Sequence, residues 1–196
     1  MSNCASLIGK KNTYQLDGPA ARVNGAIVRL QVSPQGAADG AISLNAMVIG
    51  STFATMEGPF KWRIEATGKT GDHQSLILHR IHTSTEKSKR SEWYPTAQLP
   101  LIAEFKQVRE DPNASRARCE IPGLLQVKSH EDGKLRIRAE LSISRSVKEK
   151  SISQRATLSF LLDPTQKRID ETIFLPVEIV RSFGKSLEEA DDPSWE

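Results

Sequence analysis

KLRIRAELSIS, residues 134–144, alternates without a break. Leu135, Ile137, Ala139, Leu141 and Ile143 fall on one side of an extended chain, and Arg136, Arg138, Glu140 and Ser142 on the other. Strand side chains point to opposite faces in turn, so this pattern predicts a strand with one buried and one wetted face. FKWRIEAT (60–67) repeats it with Phe60, Trp62, Ile64 and Ala66 inward, and ATLSFLL (156–162) with Ala156, Leu158, Phe160 and Leu162. Further strands are expected at 23–32, 41–49, 75–83, 99–109, 115–121, 124–129 and 171–181.

Turn chemistry separates these segments. SPQGAADG (33–40), GKTGD (68–72), Pro122-Gly123 and DPTQKRID (163–170) read as connections, and Asp132-Gly133 as a hairpin turn. STFATMEG (51–58) is expected to hold one short helical turn, and no helix of three turns is predicted anywhere. Many short strands with one polar face each predict an all-β domain of antiparallel sheets. Two architectures fit: a single antiparallel, lipocalin-like β-barrel, which is the leading expectation, or an immunoglobulin-like β-sandwich.

The chain has 196 residues, enough for one core without metal or disulfide staples. We divide it into a flexible leader (1–20), one all-β domain (21–185) and an acidic tail (186–196). The tail, SLEEADDPSWE, holds five acids and no base; removing those charges from the net +3 leaves +8 on the rest. A mildly basic body is compatible with anionic partners and equally with plain solubility. There is no 18-residue apolar run and no apolar stretch near Met1, so neither a membrane span nor a signal peptide is expected in the sequence as given.

Chemistry is sparse. GKT at 68–70 lacks the preceding glycine and the following helix of a phosphate loop, since position 63 is Arg and Gly71-Asp72 turns the chain. No G-x-S-x-G elbow occurs, and two cysteines make no disulfide framework. Cys119, in SRARCEI, is expected to be inert core. HRIHTSTEKSKRSEWY (79–94) holds four Lys/Arg, two His and Trp93-Tyr94. Residues three apart on a strand face opposite ways, so His79 and His82 predict no metal site. The charge of this stretch is diffuse rather than a stripe, which ranks nucleic acid last among the partners considered. The expectation is a non-enzymatic protein with no cofactor and no metal.

CASLIG (4–9) is similar to the processed start of bacterial lipoproteins, in which a diacylglycerol on the first Cys tethers a soluble domain. Cys4 is therefore the lipidation candidate. On that reading the protein faces the periplasm in the bacterial envelope; without a removed signal it is cytoplasmic.

From Phe60 onward the order of features resembles the YceI-like family. FKWRIEATGKTGDHQSLILHRIHTSTEKSKR (60–90) is similar to its strand, turn and strand followed by charged residues, and LPLIAEFKQV (99–108) to its next strand. DGKLRIRAELSISRSVKEKSISQRATLSF (132–160) is similar to its penultimate hairpin, with Ser144-Arg145-Ser146 where the family has Gly. The resemblance implies a lipocalin-like barrel that binds an isoprenoid or similar lipid. Trp62, Leu78, Phe105, Ile137, Leu141, Leu158 and Phe160 would line its interior. The alternatives are a sandwich used for adhesion or structure with a protein partner and, ranked third, nucleic-acid binding through basic strand faces.

Overall fold

The computed structural model describes the backbone of residues 4–35, 51–56, 58–147 and 150–174, and the side chains of 10–35, 58–146 and 150–168. The expected strand at 41–49 and the acidic tail at 186–196 lie outside the described residues.

The alternating segments form two sheets. The first runs in the order β4 (Ser51–Met56), β1 (Cys4–Asp17), β12 (Lys150–Phe174), β11 (Leu135–Val147), β6 (His73–Thr85) and β7 (Ser91–Trp93). A short β8 (Leu101–Glu104) also pairs with β6. The second runs β2 (Ala21–Val23), β3 (Ala26–Pro34), β5 (Phe60–Lys69), β10 (Ala114–Glu120) and β9 (Lys106–Gln107). Neighbours are antiparallel except β1 and β4. Among the described residues, helix is limited to α1 (Ser129–Asp132) and a 3-10 turn at Thr96–Gln98.

The all-β class is as expected, but neither sheet closes into a barrel. Between β8 and β9 the chain crosses from the first sheet to the second at Phe105, so the ladder is broken where a barrel would continue it. The sheets face each other across one core. Leu135, Ile137, Ala139, Leu141 and Ile143 are fully buried against Phe60, Trp62, Ile64 and Ala66. Tyr14 and Phe60 pack ring to ring at 5.4 Å, and the Tyr14 hydroxyl donates to the Gly133 carbonyl at 3.0 Å.

Several boundaries depart from the sequence reading. Cys4–Asp17, read as leader, is strand β1, held by β12 from Asp17↔Leu161 to Cys4↔Phe174. DPTQKRID is no connection but part of β12, which trades partners along its length: β11 as far as Leu162, then β1. Pro164 is tolerated because β11 has already ended, leaving that side of β12 as an edge. STFATM is strand β4 rather than helix, as a run of Thr and Phe favours. The stretch 124–129 contributes a bridge from Leu125 to Phe60 and the start of α1. Asp132-Gly133 ends that helix instead of turning a hairpin, and Gly133 takes φ 71° there.

Asn24-Gly25 supplies the tight hairpin between β2 and β3. Both residues have positive φ (50° and 87°), as the favoured two-residue turn requires. Asn24 then ties this corner to the other sheet. Its Nδ2 donates to the carbonyls of Ile143 at 2.9 Å and Ile152 at 3.0 Å, and its backbone N–H to Gln154 Oε1 at 2.8 Å.

Candidate interaction surfaces

The seven residues expected to line an interior cavity do come together, as packed core. Leu78, Ile137 and Leu141 are fully buried, and Trp62 and Phe160 nearly so. Phe105 and Leu158 pack against them at the margin. Cys119 sits in the same core, its thiol pushed up to about 12 by burial and the neighbouring Glu120. Its Sγ lies 3.8 Å from the Leu76 carbonyl, an inert position. Cys4 lies at the start of β1, and its side chain is outside the described ones.

A cleft of about 530 Å³ opens elsewhere, between β1 and β12 of one sheet and β3 of the other. Tyr14, Leu16, Leu30 and Leu162 give it an apolar floor, and Lys11 and Lys167 bring two cations. None of the seven expected lining residues belongs to it. Its signal in the sequence is weak, because β1 reads as a flexible leader and residues 163–170 of β12 as a polar connection.

The 79–94 stretch resolves into the second half of β6, a loop and β7. The loop is tied down by Asp132, which is buried beneath it. Ser88 Oγ donates to Asp132 Oδ1, the Lys87 N–H to the Asp132 carbonyl at 2.9 Å, and the Lys128 N–H to Asp132 Oδ2 at 2.7 Å. Thr85 and Arg90 close its base with a 3.0 Å backbone bond. The stretch is an ordered strand connection, and Arg90 is paired with Glu92 at 3.0 Å.

The alternation expected across His79 and His82 fails for a definite reason. β6 carries a bulge opposite the Glu140/Leu141 step, where Arg80 pairs with Glu140 and Leu78 with Leu141. Leu78 and Ile81 are both fully buried, so His79 and Arg80 both turn outward between them. The two histidines therefore share the outer face of the first sheet. The spacing of Leu76, Leu78 and Ile81 already contains this break in the alternation. His79 Nε2 contacts Ser142 Oγ at 2.8 Å, and His82 Nε2 contacts Ser91 Oγ at 2.9 Å. Burial, helped by Arg155, holds the His79 pKa below 6.5, against the opposing pull of Glu140. Among the described residues no three His, Cys, Asp or Glu gather as metal ligands.

The same outer face carries Arg80, Arg136, Arg138 and Arg155. Arg155 Nε contacts Glu140 Oε1 at 2.7 Å, and Arg80 also acts on Glu140. Arg136 and Arg138 are exposed and have no ion-pair partner among the described residues. Trp93, 64 % exposed, lays its ring 4.7 Å from that of His82.

The outer face of the second sheet is built differently. Arg63 is 1 % exposed, its Nε 2.8 Å from Glu65 Oε1 and 2.9 Å from Gln31 Oε1. Arg118 Nε approaches the same Glu65 oxygen at 3.1 Å, and Glu120 lies 3.5 Å from Arg63. Arg63, Arg118, Glu65 and Glu120 thus form one ionic cluster, while Arg29 and Arg116 on the same face have no ion-pair partner among the described residues.

Comparison with protein-family models, with curated proteins and with solved structures finds no match.

Proposed function

We propose that this chain is a non-enzymatic, two-sheet β module that recognises a protein partner through its outer surface. The observation that carries this reading is the packing of Trp62, Leu78, Phe105, Ile137, Leu141, Leu158 and Phe160 into one core. With the expected interior site occupied by these side chains, recognition falls to the surface. There an exposed Trp and spare arginines are the residue types that anchor protein interfaces. The test is native mass spectrometry of the protein purified gently from its source cells. A complex whose added mass is protein, and which is lost in a Trp93→Ala/Arg138→Glu variant, is the expected result. An added mass of lipid size, unaffected by that variant, overturns the reading.

A second reading is favoured by the cleft between β1, β12 and β3. Its volume is in the range of small-ligand sites. An amphiphilic anion would lay its hydrocarbon on Tyr14, Leu16, Leu30 and Leu162 and its head near Lys11 and Lys167. Each buried methylene would contribute about 0.8 kcal/mol before ordering costs. This is the lipid-binding expectation moved from a barrel interior to the open end of the sheets. A single barrel would further require an edge strand of the first sheet, β4, β7 or β8, to pair with β2 or β9. A lipid tether on Cys4, placing the protein at the bacterial envelope, is compatible with either reading. Displacement of a fluorescent fatty acid, weakened by Lys11→Glu/Lys167→Glu, supports the cleft; no binding at micromolar protein removes it.

A further inference from the structure

We infer that Asn24-Gly25 is a site of spontaneous deamidation, restrained by the contacts Asn24 makes in the folded chain and destroying those contacts when it reacts. The result is a one-way ageing switch at the β2–β3 corner. Among the asparagines of the sequence, Asn24 is the one followed by glycine. Deamidation needs the backbone nitrogen of the next residue to reach the side-chain carbonyl carbon, and glycine puts no side chain in the way. Gly25 is exposed, and its N–H has no hydrogen-bond partner among the described residues. The nucleophile is therefore free, whereas the electrophile is held. Asn24 is half-buried, and its Nδ2 donates to the Ile143 carbonyl at 2.9 Å and the Ile152 carbonyl at 3.0 Å. Gln154 Oε1 holds its backbone N–H at 2.8 Å, and His73 Nε2 holds its carbonyl at 3.0 Å.

In the reaction, the Gly25 nitrogen bonds to Asn24 Cγ, the Cγ–Nδ2 bond breaks, and ammonia leaves with the proton Gly25 gives up. The cyclic imide then takes up one water, which opens it at either carbonyl. Opening at Cγ leaves aspartate, and opening at the backbone carbonyl leaves isoaspartate. Ring closure turns the Asn24 side chain onto the Gly25 nitrogen, so both Nδ2 bonds must break first. Local opening of the corner therefore sets the rate in the folded chain. Neither product rebuilds the corner. A carboxylate at position 24 has no donor for the Ile143 and Ile152 carbonyls and sets negative charge against them. Isoaspartate also adds a backbone atom to a tight turn whose two residues have φ 50° and 87°. Ile143 lies in β11 and Ile152 in β12, so the reaction frees the β2–β3 hairpin from the first sheet.

The test follows the tryptic peptide of residues 23–29 by mass during storage in mildly alkaline buffer. Three full-length samples are compared: folded wild type, wild type in concentrated urea, and folded Gln154→Ala. The mass gain of an acid replacing the Asn24 amide should appear soonest in urea, and at least about tenfold more slowly in folded wild type. Gln154 is exposed, so Gln154→Ala loosens the corner without touching the core or the reacting atoms, and its rate should fall between the two. The peptide of residues 110–116, which carries Asn113-Ala114, should lag behind Asn24 in urea. A second arm measures hydrogen exchange over residues 21–28 in Asn24→Asp, and in aged wild type purified by ion exchange. Exchange there should be at least about tenfold faster than in fresh wild type. Equal rates in the folded and the urea-unfolded chain would overturn the proposal. So would no acid at Asn24 in urea, no acceleration in Gln154→Ala, or fresh wild-type exchange in both Asn24→Asp and the aged protein.

Discussion

Gly68 and His73 face each other across the turn between β5 and β6, and their contact sets a measurable coupling. A Cβ built at Gly68 would lie 2.3 Å from His73 Nδ1 and 2.6 Å from Cε1. Ordinary contact begins near 3.4 Å, so Gly68→Ala forces the imidazole aside by about an ångström. The ring has little room to yield. It is buried, stacked on Phe105 at 5.1 Å, and bonded through Nε2 to the Asn24 carbonyl at 3.0 Å. Moving it forfeits a ring contact of about 0.5–1.5 kcal/mol and a hydrogen bond of about 0.5–1.5 kcal/mol. We expect Gly68→Ala to cost about 2 kcal/mol, a fall of about 4–8 °C in Tm for a chain of this size. In a His73→Ala background the obstruction is gone, and the same substitution should cost under about 0.5 kcal/mol. Urea unfolding of the four proteins of this cycle gives the coupling directly. Additive costs, with Gly68→Ala equally damaging in both backgrounds, would refute the reasoning.

Other consequences concern single groups. Glu65→Leu should cost about 3–5 kcal/mol by leaving buried Arg63 without its nearest carboxylate, whereas Arg63→Leu/Glu65→Leu should lie close to wild type; equilibrium unfolding decides. Asn24→Ala should lose about 2 kcal/mol through its two side-chain bonds to the opposite sheet, while Asn24→Gly, which keeps the turn geometry, should lose less. In a Cys4→Ser background, Cys119 should resist iodoacetamide at pH 8 until denaturant is added, because its raised pKa and burial leave almost no accessible thiolate. His79 has a folded pKa held below 6.5, so its stabilising contribution is complete above that value. That contribution is lost as pH falls from 6.5 toward the folded pKa. An NMR titration should show a midpoint below 6.5 that rises in Arg155→Gln.

How far the sequence could be read differs by element. β11 alternates so strictly that its five inward residues were identifiable without neighbours, and all five are fully buried. β5 behaves the same way through Phe60, Trp62, Ile64 and Ala66. β1 was missed because Lys10-Lys11-Asn12-Thr13-Tyr14-Gln15 gives little apolar period; Asn12 is buried by pairing with Gln166 at 2.8 Å, not by hydrophobicity. The β12 continuation was hidden by Pro164 and a polar run whose partner, β1, lies about 150 residues away in sequence. Asn24-Gly25 is a hairpin signal that the sequence itself carries. The outer face needed the β6 bulge: only the burial of Ile81 after Leu78 fixes which side His79 and Arg80 occupy. Barrel and sandwich impose the same alternation on every strand, so the crossover at Phe105 had to be seen in three dimensions.

The central claim is that the core around Trp62, Leu78, Ile137 and Leu141 is filled and that recognition belongs to the surface. Diffraction from crystals pressurised with xenon tests it directly, since dry apolar voids take up the gas. A filled core predicts no xenon among Trp62, Leu78, Ile137 and Leu141. A well-occupied xenon site among those four side chains would contradict the account and return the ligand to the interior.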